Sequence, residues 1–354
     1  MHRRLSLAAG PLFALCVLTA SWPVRGEERA GEADVDLSLA VQEAGAMPRM
    51  RSLLVSSRGE LILERYFNGA GPRRTTNVKS VSKSVISALV GIAISQGLIE
   101  SVDAPIAPFF PGYFDGDVDP AKRTITIEDL LTMRSGLEST SGRGYGAWVQ
   151  SGDWVRYVLS RPMEMQPGRR MEYSTGNTHL LSAVLTRVSG RSTWEFADNE
   201  LAKPLGTRFE RWERDPQGIY FGGNNMAMTP RQMVAFGELY LNRGRANGRQ
   251  VVPESWIRTS WIPRGQSHWS EEYHGYGWWI GELAGHRTYF AWGYGGQLIF
   301  VIPDIRTVVV ATSSTSTGRT RRSHRRALFD LVEKRVVDPL TATPSRGAAR
   351  RGGG

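Results

Sequence analysis

The 354-residue chain holds one cysteine, Cys16, and that residue falls in an N-terminal stretch with the marks of a removable leader. His2, Arg3 and Arg4 precede an apolar run from Leu5 to Ala20, and Val24, Arg25 and Gly26 make a small-residue exit. This is the pattern of a secretory signal peptide over residues 1–26. The run contains Pro11 and falls short of the roughly 20 apolar residues that span a bilayer. Leu15 stands before Cys16 where lipid attachment needs a small residue. The expectation is cleavage near Glu27, a periplasmic or secreted protein, and no stable membrane insertion afterwards. With Cys16 gone, a disulfide framework, a zinc-thiolate site and a thiol nucleophile are all excluded.

Other absences narrow the chemistry further. The histidines beyond the leader, His179, His268, His274, His286 and His324, show neither HExxH nor another ligand spacing, so no metal and no cofactor is expected. No GxSxG occurs, which removes the usual α/β-hydrolase elbow. No period of 20 to 50 residues suggests a solenoid or propeller. The net charge of +10 falls to +7 without Arg3, Arg4 and Arg25, and much of the rest sits in Arg319 to Arg326 and in Arg346, Arg350 and Arg351. No nucleic-acid motif accompanies these runs, so no nucleic-acid partner is expected.

What the chain does contain is strand pattern at both ends and helix pattern between. Ser52 to Ser57 and Glu60 to Phe67 flank Arg58-Gly59 as a hairpin. Gly275 to Leu283, Thr288 to Trp292, Gln297 to Ile302 and Thr307 to Thr312 are further strands. Helices are expected over 35–46, Val81 to Gln96, Ile127 to Met133, Asp153 to Leu159, Thr178 to Val188, Trp194 to Leu201, Thr229 to Asn242 and Ala327 to Val336. Gly142, Gly144 and Gly146 lack strand-to-helix context and read as loop. The fold class is α/β in the α+β sense, an antiparallel sheet built from both chain ends with a large helical insertion. The organisation is a leader over 27–48 and one domain over 49–340. Within it the sheet comes from 50–67 and 274–313, the helical region covers about 80–262 and a C-terminal helix about 325–337. A disordered tail follows over 341–354.

Lysine is scarce, and its placement is the first chemical clue. Of 44 basic residues only Lys79, Lys83, Lys122, Lys203 and Lys334 are lysine, and two of the five stand at the start of the most apolar helix. A desolvated lysine can be tuned for proton transfer where arginine cannot. Ser80 and Lys83 form an SxxK pair, and positions i and i+3 share a helix face. A buried lysine without a task is costly.

NVKSVSKSVISALVGIAISQGLI at 77–99, ITIEDLLTMRSGL at 125–137, PGRRMEYSTGNTHLLSAVL at 167–185, MAMTPRQMVAFGELYLNRG at 226–244 and GYGGQLIFVIPDIRTVVVAT at 293–312 follow one another in order. In that order they resemble the serine β-lactamase and penicillin-recognising superfamily. The likeness is to its class C-like branch with carboxylesterases, DD-peptidases and 6-aminohexanoate-dimer hydrolases. The resemblance spans roughly residues 50 to 337 and implies a β-lactamase/transpeptidase-like fold. It implies Ser80 as acyl-accepting nucleophile, Lys83 as its proton acceptor or relay, and Tyr173 as a second proton-transfer group. The implied oxyanion hole is the backbone N–H of Ser80 and of Gln297 on an edge strand. Thr175, Asn177, Tyr294, Gly295 and Gly296 take the family's substrate-binding positions.

Two departures stand out. Thr175 replaces the family's asparagine two places after the tyrosine, with Asn177 two further on, and Tyr294-Gly295-Gly296 lacks the cation of the family's third motif. Trp278, Trp279, Trp292, Tyr294, Tyr145 and Trp148 either wall an acyl pocket or fill an interface. The reading is a serine hydrolase acting on small ester or amide substrates through an acyl-enzyme on Ser80. A β-lactamase or D-amino-acid-directed peptidase, and a catalytically silent cell-wall-binding or scaffold relative, are the competing readings.

Overall fold

A computed structural model describes residues 35–116, 118–268, 270–316 and 321–342. The expected signal peptide, most of the leader, and the tail beyond Ala342 lie outside these. Among the described residues no helix is long and apolar enough to cross a membrane.

The chain runs α1 (Ser38–Ala46), β1 (Met50–Ser57), β2 (Glu60–Tyr66), β3 (Thr76–Asn77), a 3-10 turn (Lys79–Val81), α2 (Ser82–Ser95), α3 (Ile127–Leu131), α4 (Tyr145–Val149), α5 (Trp154–Ser160), α6 (Thr175–Ser189) and α7 (Thr193–Ala197). It continues through β4 (Ala227–Met228), α8 (Pro230–Leu241), a small ribbon β5 (Arg245–Ala246) and β6 (Arg249–Gln250), α9 (Glu254–Ser260), β7 (Gly265–Gln266), β8 (Tyr273–His274), β9 (Trp279–Leu283), β10 (His286–Gly293), β11 (Gln297–Ile302), β12 (Thr307–Ser313), α10 (Arg321–Val332) and α11 (Asp338–Thr341). Eight strands form one antiparallel sheet in the order β2-β1-β12-β11-β10-β9-β8-β7. The N-terminal hairpin turns at Arg58 and Gly59, both at positive φ, the geometry a tight two-residue hairpin demands. Its first strand pairs with β12, so both chain ends do share one sheet.

The two faces of the sheet explain why β11 and β12 read as unbroken apolar runs. Every residue of both is buried, because one face carries the helical insertion and the other carries α1 and α10. Ile299 and Val301 join the core under the helical region, whereas Leu298, Phe300 and Ile302 join the second core. Ala40 and Ala44 of α1 are fully buried in that second core. The body therefore begins before residue 49, inside what the sequence suggested was a leader, and small alanines are what let the helix lie close. The expected strand Gly275 to Leu283 is interrupted, since Gly275 to Trp278 turns to meet α2, where Ser84 Oγ donates to the Gly277 carbonyl at 2.6 Å. The Gly142 region is a 3-10 turn leading into α4 rather than a loop.

Twelve of the fourteen residues of α2 are buried, so this helix is the axle of the helical region. Its Gly91 faces Trp256 of α9, and a Cβ there would lie 2.4 Å from two indole ring atoms. Gly91→Ala gains up to about 1 kcal/mol of helix propensity, but overpacking costs about 1 to 3 kcal/mol. We expect a lower urea midpoint with unchanged slope; a variant as stable as the parent would show that α9 yields freely.

Candidate active site

The chain approaches α2 through a turn in which Lys79 takes φ +54, a left-handed conformation that is costly for a side chain of this size. Two hydrogen bonds hold it there. Lys79 N donates to Asn77 Oδ1 at 2.9 Å, and Ser82 Oγ donates to the Lys79 carbonyl at 2.6 Å. The turn lifts Ser80 to the start of α2, one helical step from Lys83.

Lys83 is 3% exposed. Its Nζ donates to Ser80 Oγ at 3.1 Å, to Thr175 Oγ1 at 3.3 Å and to the Gly223 carbonyl at 2.6 Å. Among the described residues no carboxylate pairs with it, and burial alone brings its pKa down to about 7. Tyr173 lies with its ring centroid 5.0 Å from Lys83 Nζ and stacked on Trp279 at 5.9 Å. Burial pushes its phenol up to about 12, offset in part by a hydrogen bond with Ser80. His274, fully buried, sits edge-on to Trp279 at 5.0 Å. Burial and the nearby Lys83 charge lower its pKa to about 3, so it is a neutral wall.

The N-terminus of α6 places Thr175. That helix starts three residues earlier than its periodicity suggested, because its cap comes from another segment. Ser141 Oγ accepts from Thr175 N at 2.9 Å and Thr140 Oγ1 from Gly176 N at 3.0 Å. Asn177 is fully buried one step further along α6, with Ser135 Oγ donating to its Oδ1 at 3.1 Å.

The third motif also departs from expectation. β11 is not an edge strand, since it lies between β10 and β12. Gln297 is fully buried, and its side-chain amide closes on the Ser313 main chain at 2.7 and 3.2 Å. The strand end pressed on the nucleophile turn is that of β10. A Cβ at Gly293 would lie 2.2 Å from the Val78 carbonyl oxygen and 3.1 Å from Lys79 Cβ, so only glycine fits there. Tyr294 follows, partly exposed, and Gly295 and Gly296 turn at φ +89 and +103 into β11.

The aromatic residues divide. Trp278 and Trp148 are fully buried core, the first stacked on Phe236 and the second set among Trp154, His179 and Phe221. Trp279 and Trp292 instead continue from Tyr173 as a wall beside the site. Tyr145 is tied in from the opposite side, with Asn224 Nδ2 donating to its hydroxyl at 2.8 Å. The Gly222-Gly223-Asn224-Asn225 segment was not singled out in the sequence. Its glycines and asparagines signal only a turn, yet it supplies the Gly223 carbonyl to Lys83. Its Asn225 Oδ1 accepts from Lys79 Nζ at 3.2 Å and Asn77 Nδ2 at 2.9 Å, and its Nδ2 donates to Glu213. Among the described residues no group of three or more His, Cys, Asp or Glu is placed to hold a metal.

An antiparallel sheet closed by both chain ends over a helical body is the architecture of β-lactamase and penicillin-binding-protein hydrolases. The chain belongs to the β-lactamase family, whose sequence model matches residues 40–333. It is 24% identical over 295 residues to the 6-aminohexanoate-dimer hydrolase of Paenarthrobacter ureafaciens, covering 77% of this chain and 74% of that one. It is 27% identical over 177 residues to esterase EstB of Burkholderia gladioli, covering 44% and 45%. In structure it is similar to the octameric penicillin-binding protein homologue of Pyrococcus abyssi, with TM-score 0.67, 20% identity and coverage of 84% and 76%. Relatives named as hydrolase and esterase are consistent with serine hydrolase activity.

Burial of Lys83 has a measurable cost. The unfolded chain keeps this amine protonated up to its ordinary value near 10.5 and the folded chain releases the proton near 7, so stability gained from losing the charge appears as pH rises between these values. Lys83→Met should unfold at higher temperature than the parent at pH 6, with the difference shrinking toward pH 10. Equal pH dependence in parent and variant would show that the amine is not desolvated.

Proposed function

We propose that the protein is a serine hydrolase that cleaves small carboxylic esters or amides through an acyl-enzyme on Ser80. The observation that carries this reading is a carboxylate-free, buried amine 3.1 Å from a serine hydroxyl with its pKa drawn to about 7. Near neutral pH a large fraction of Lys83 is the free amine. Its two N–H groups then serve the Gly223 carbonyl and Thr175 Oγ1, and its lone pair faces Ser80.

Ser80 Oγ attacks the carbonyl carbon while its proton passes to Lys83 Nζ. The new C–O bond leaves a tetrahedral oxyanion, met by the backbone N–H of Ser80 and, at the end of β10 pressed against the nucleophile turn, that of Tyr294 in place of Gln297. Tyr173, held protonated by burial, donates its proton to the leaving oxygen or nitrogen as that bond breaks and is reprotonated from Lys83. Water then enters and attacks the acyl carbon as it loses a proton to the same pair; the bond to Ser80 Oγ breaks, the pair returns that proton to Ser80 Oγ, and the acid leaves. The opposed shifts of Lys83 and Tyr173 support the amine as base and the phenol as acid. Secretion through the signal peptide at residues 1–26 belongs to the same proposal.

The β-lactamase reading needs a cation to meet the carboxylate beside the scissile bond, and Tyr294-Gly295-Gly296 supplies a phenol and main chain. Loss of one charge-assisted contact costs about 1.5 to 3 kcal/mol, or roughly ten- to a hundredfold in rate. We expect kcat/KM for a short-chain nitrophenyl ester to exceed that for nitrocefin, and the reverse order would promote the β-lactamase reading.

Ser80→Ala should abolish both ester turnover and fluorophosphonate labelling, and full labelling of that variant would sink the nucleophile assignment. Because the free amine is the active form, kcat/KM should rise with pH through about 7 and then level. Lys83→Arg, which keeps charge but cannot deprotonate, should lose at least about a hundredfold. A near-normal rate in that variant would make Lys83 structural.

A further inference from the structure

His179 and Asp215 form a hydrogen-bonded pair in the helical region that the proposed reaction does not use. His179 Nε2 donates to Asp215 Oδ2 at 3.0 Å, and both side chains are fully buried. The rings of Trp154, Trp148 and Phe221 surround the imidazole at centroid distances of 5.3, 5.8 and 5.8 Å. Such dry surroundings strengthen the bond and make either partner costly to leave alone.

Each member of the pair leads to a different anchor of Lys83. His179 stands four residues after Thr175 on α6, so the two share a face. Asp215 belongs to a hairpin running from Glu213 to Phe221. Its Oδ1 accepts from Gln217 N at 2.9 Å and Ile219 N at 2.8 Å, Arg214 bridges Tyr220, and Phe221 N donates to the Glu213 carbonyl at 2.9 Å. The returning arm lies along α6. Ser182 Oγ donates to the Tyr220 carbonyl at 2.7 Å, and a Cβ at Gly222 would lie 2.3 Å from the Thr178 carbonyl oxygen. A Cβ at Gly223 would lie 2.7 Å from the Thr175 carbonyl oxygen, and there the arm ends with its own carbonyl on Lys83 Nζ. A slide of the arm along α6 would part the Gly223 carbonyl from Thr175 Oγ1. The Ser182 bond opposes that slide midway, and the His179–Asp215 bond opposes it near the hairpin tip.

We propose that His179 and Asp215 are positioning residues of the hydrolase site, fixing the register of the Glu213 to Phe221 hairpin on α6 so that the Gly223 carbonyl and Thr175 Oγ1 meet Lys83 Nζ together. The proposal rests on the hydrolase reading of Ser80 and deepens it. A carbonyl can only accept, so it claims one N–H of the amine and leaves the lone pair to Ser80. As an acceptor it also favours the ammonium over the free amine. Withdrawal of this carbonyl should therefore slow proton uptake from Ser80 and push the Lys83 pKa further below about 7.

The test compares Asp215→Asn, His179→Leu and His179→Gln. The asparagine has one oxygen where the aspartate has two, so it can serve the turn N–H groups or His179 but not both. Glutamine keeps a donor for Asp215, and leucine does not. With a short-chain nitrophenyl ester, Asp215→Asn and His179→Leu should each lower kcat at least about tenfold with KM changed less than about threefold, and His179→Gln should restore most of the loss. The chain has only five lysines, so NMR of isotope-labelled lysine Cε carbons can follow Lys83 alone, with Lys83→Met identifying its signal. Its titration midpoint should fall in Asp215→Asn and stay near the parent value in His179→Gln. A folded Asp215→Asn that matches the parent in kcat and in midpoint overturns the positioning role, even if its urea midpoint is lower. An upward midpoint also overturns it, since the pair would then only keep water out, and so does failure of both Asp215→Asn and His179→Leu to fold. If the parent cleaves no ester, the hydrolase reading falls, while a lowered midpoint in Asp215→Asn still upholds the register.

Discussion

The structure is arranged around an ammonium group taken out of water with no counter-ion among the described residues. Lys83 is held by a serine hydroxyl, a threonine hydroxyl and one carbonyl, and each partner comes from a different part of the chain. The turn before α2 gives Ser80, the start of α6 gives Thr175, and the loop before β4 gives Gly223. Neutral acceptors leave the charged form poorly compensated, so the amine surrenders its proton readily. A single aspartate at that place would have undone the effect by stabilising the cation. The same dry surroundings act in the opposite sense on Tyr173, since burial penalises a phenolate as it penalises an ammonium. One physical cause thus drives two groups with nearly equal ordinary pKa values in opposite directions.

Much of this was legible wherever the determinants are local. The SxxK pair needs only one helical step, the Arg58-Gly59 hairpin only its own turn, and α8 only the reciprocal Thr229 and Gln232 cap with Pro230 behind it. The readings that changed depend on distant partners. The start of α6 is fixed by Thr140 and Ser141, which no pattern within the helix itself reveals. Strand order cannot be read from a strand's own residues, which is how Gln297 came to stand on an edge that β10 and β9 in fact extend. The Gly222 to Asn225 segment carries turn composition and nothing that advertises a lysine contact.

Backbone strain and close approach concentrate where the two halves of the site meet. Lys79 at positive φ and Gly293 against the Val78 carbonyl are costs accepted to bring a strand end and a helix start together. Their surroundings over-determine them, through Asn77 and Ser82 on one side and the paired strands β10 and β11 on the other. A serine set on such a scaffold keeps its position before any substrate arrives, which is the condition under which electrostatic stabilisation of an oxyanion costs no reorganisation.

The pairing of β1 with β12 joins segments about 260 residues apart, as in Ser52 opposite Thr312. A ribosome therefore delivers Ser80, Lys83 and Tyr173 long before it delivers strands β10 to β12. Until β10 to β12 emerge, α2 has its helical neighbours but no sheet beneath it, and β1 lacks its inner partner. Such long-range closure slows folding and leaves a strand edge waiting. It also means that a nascent chain carries Ser80 without the strand end that packs on its turn until β10 has emerged.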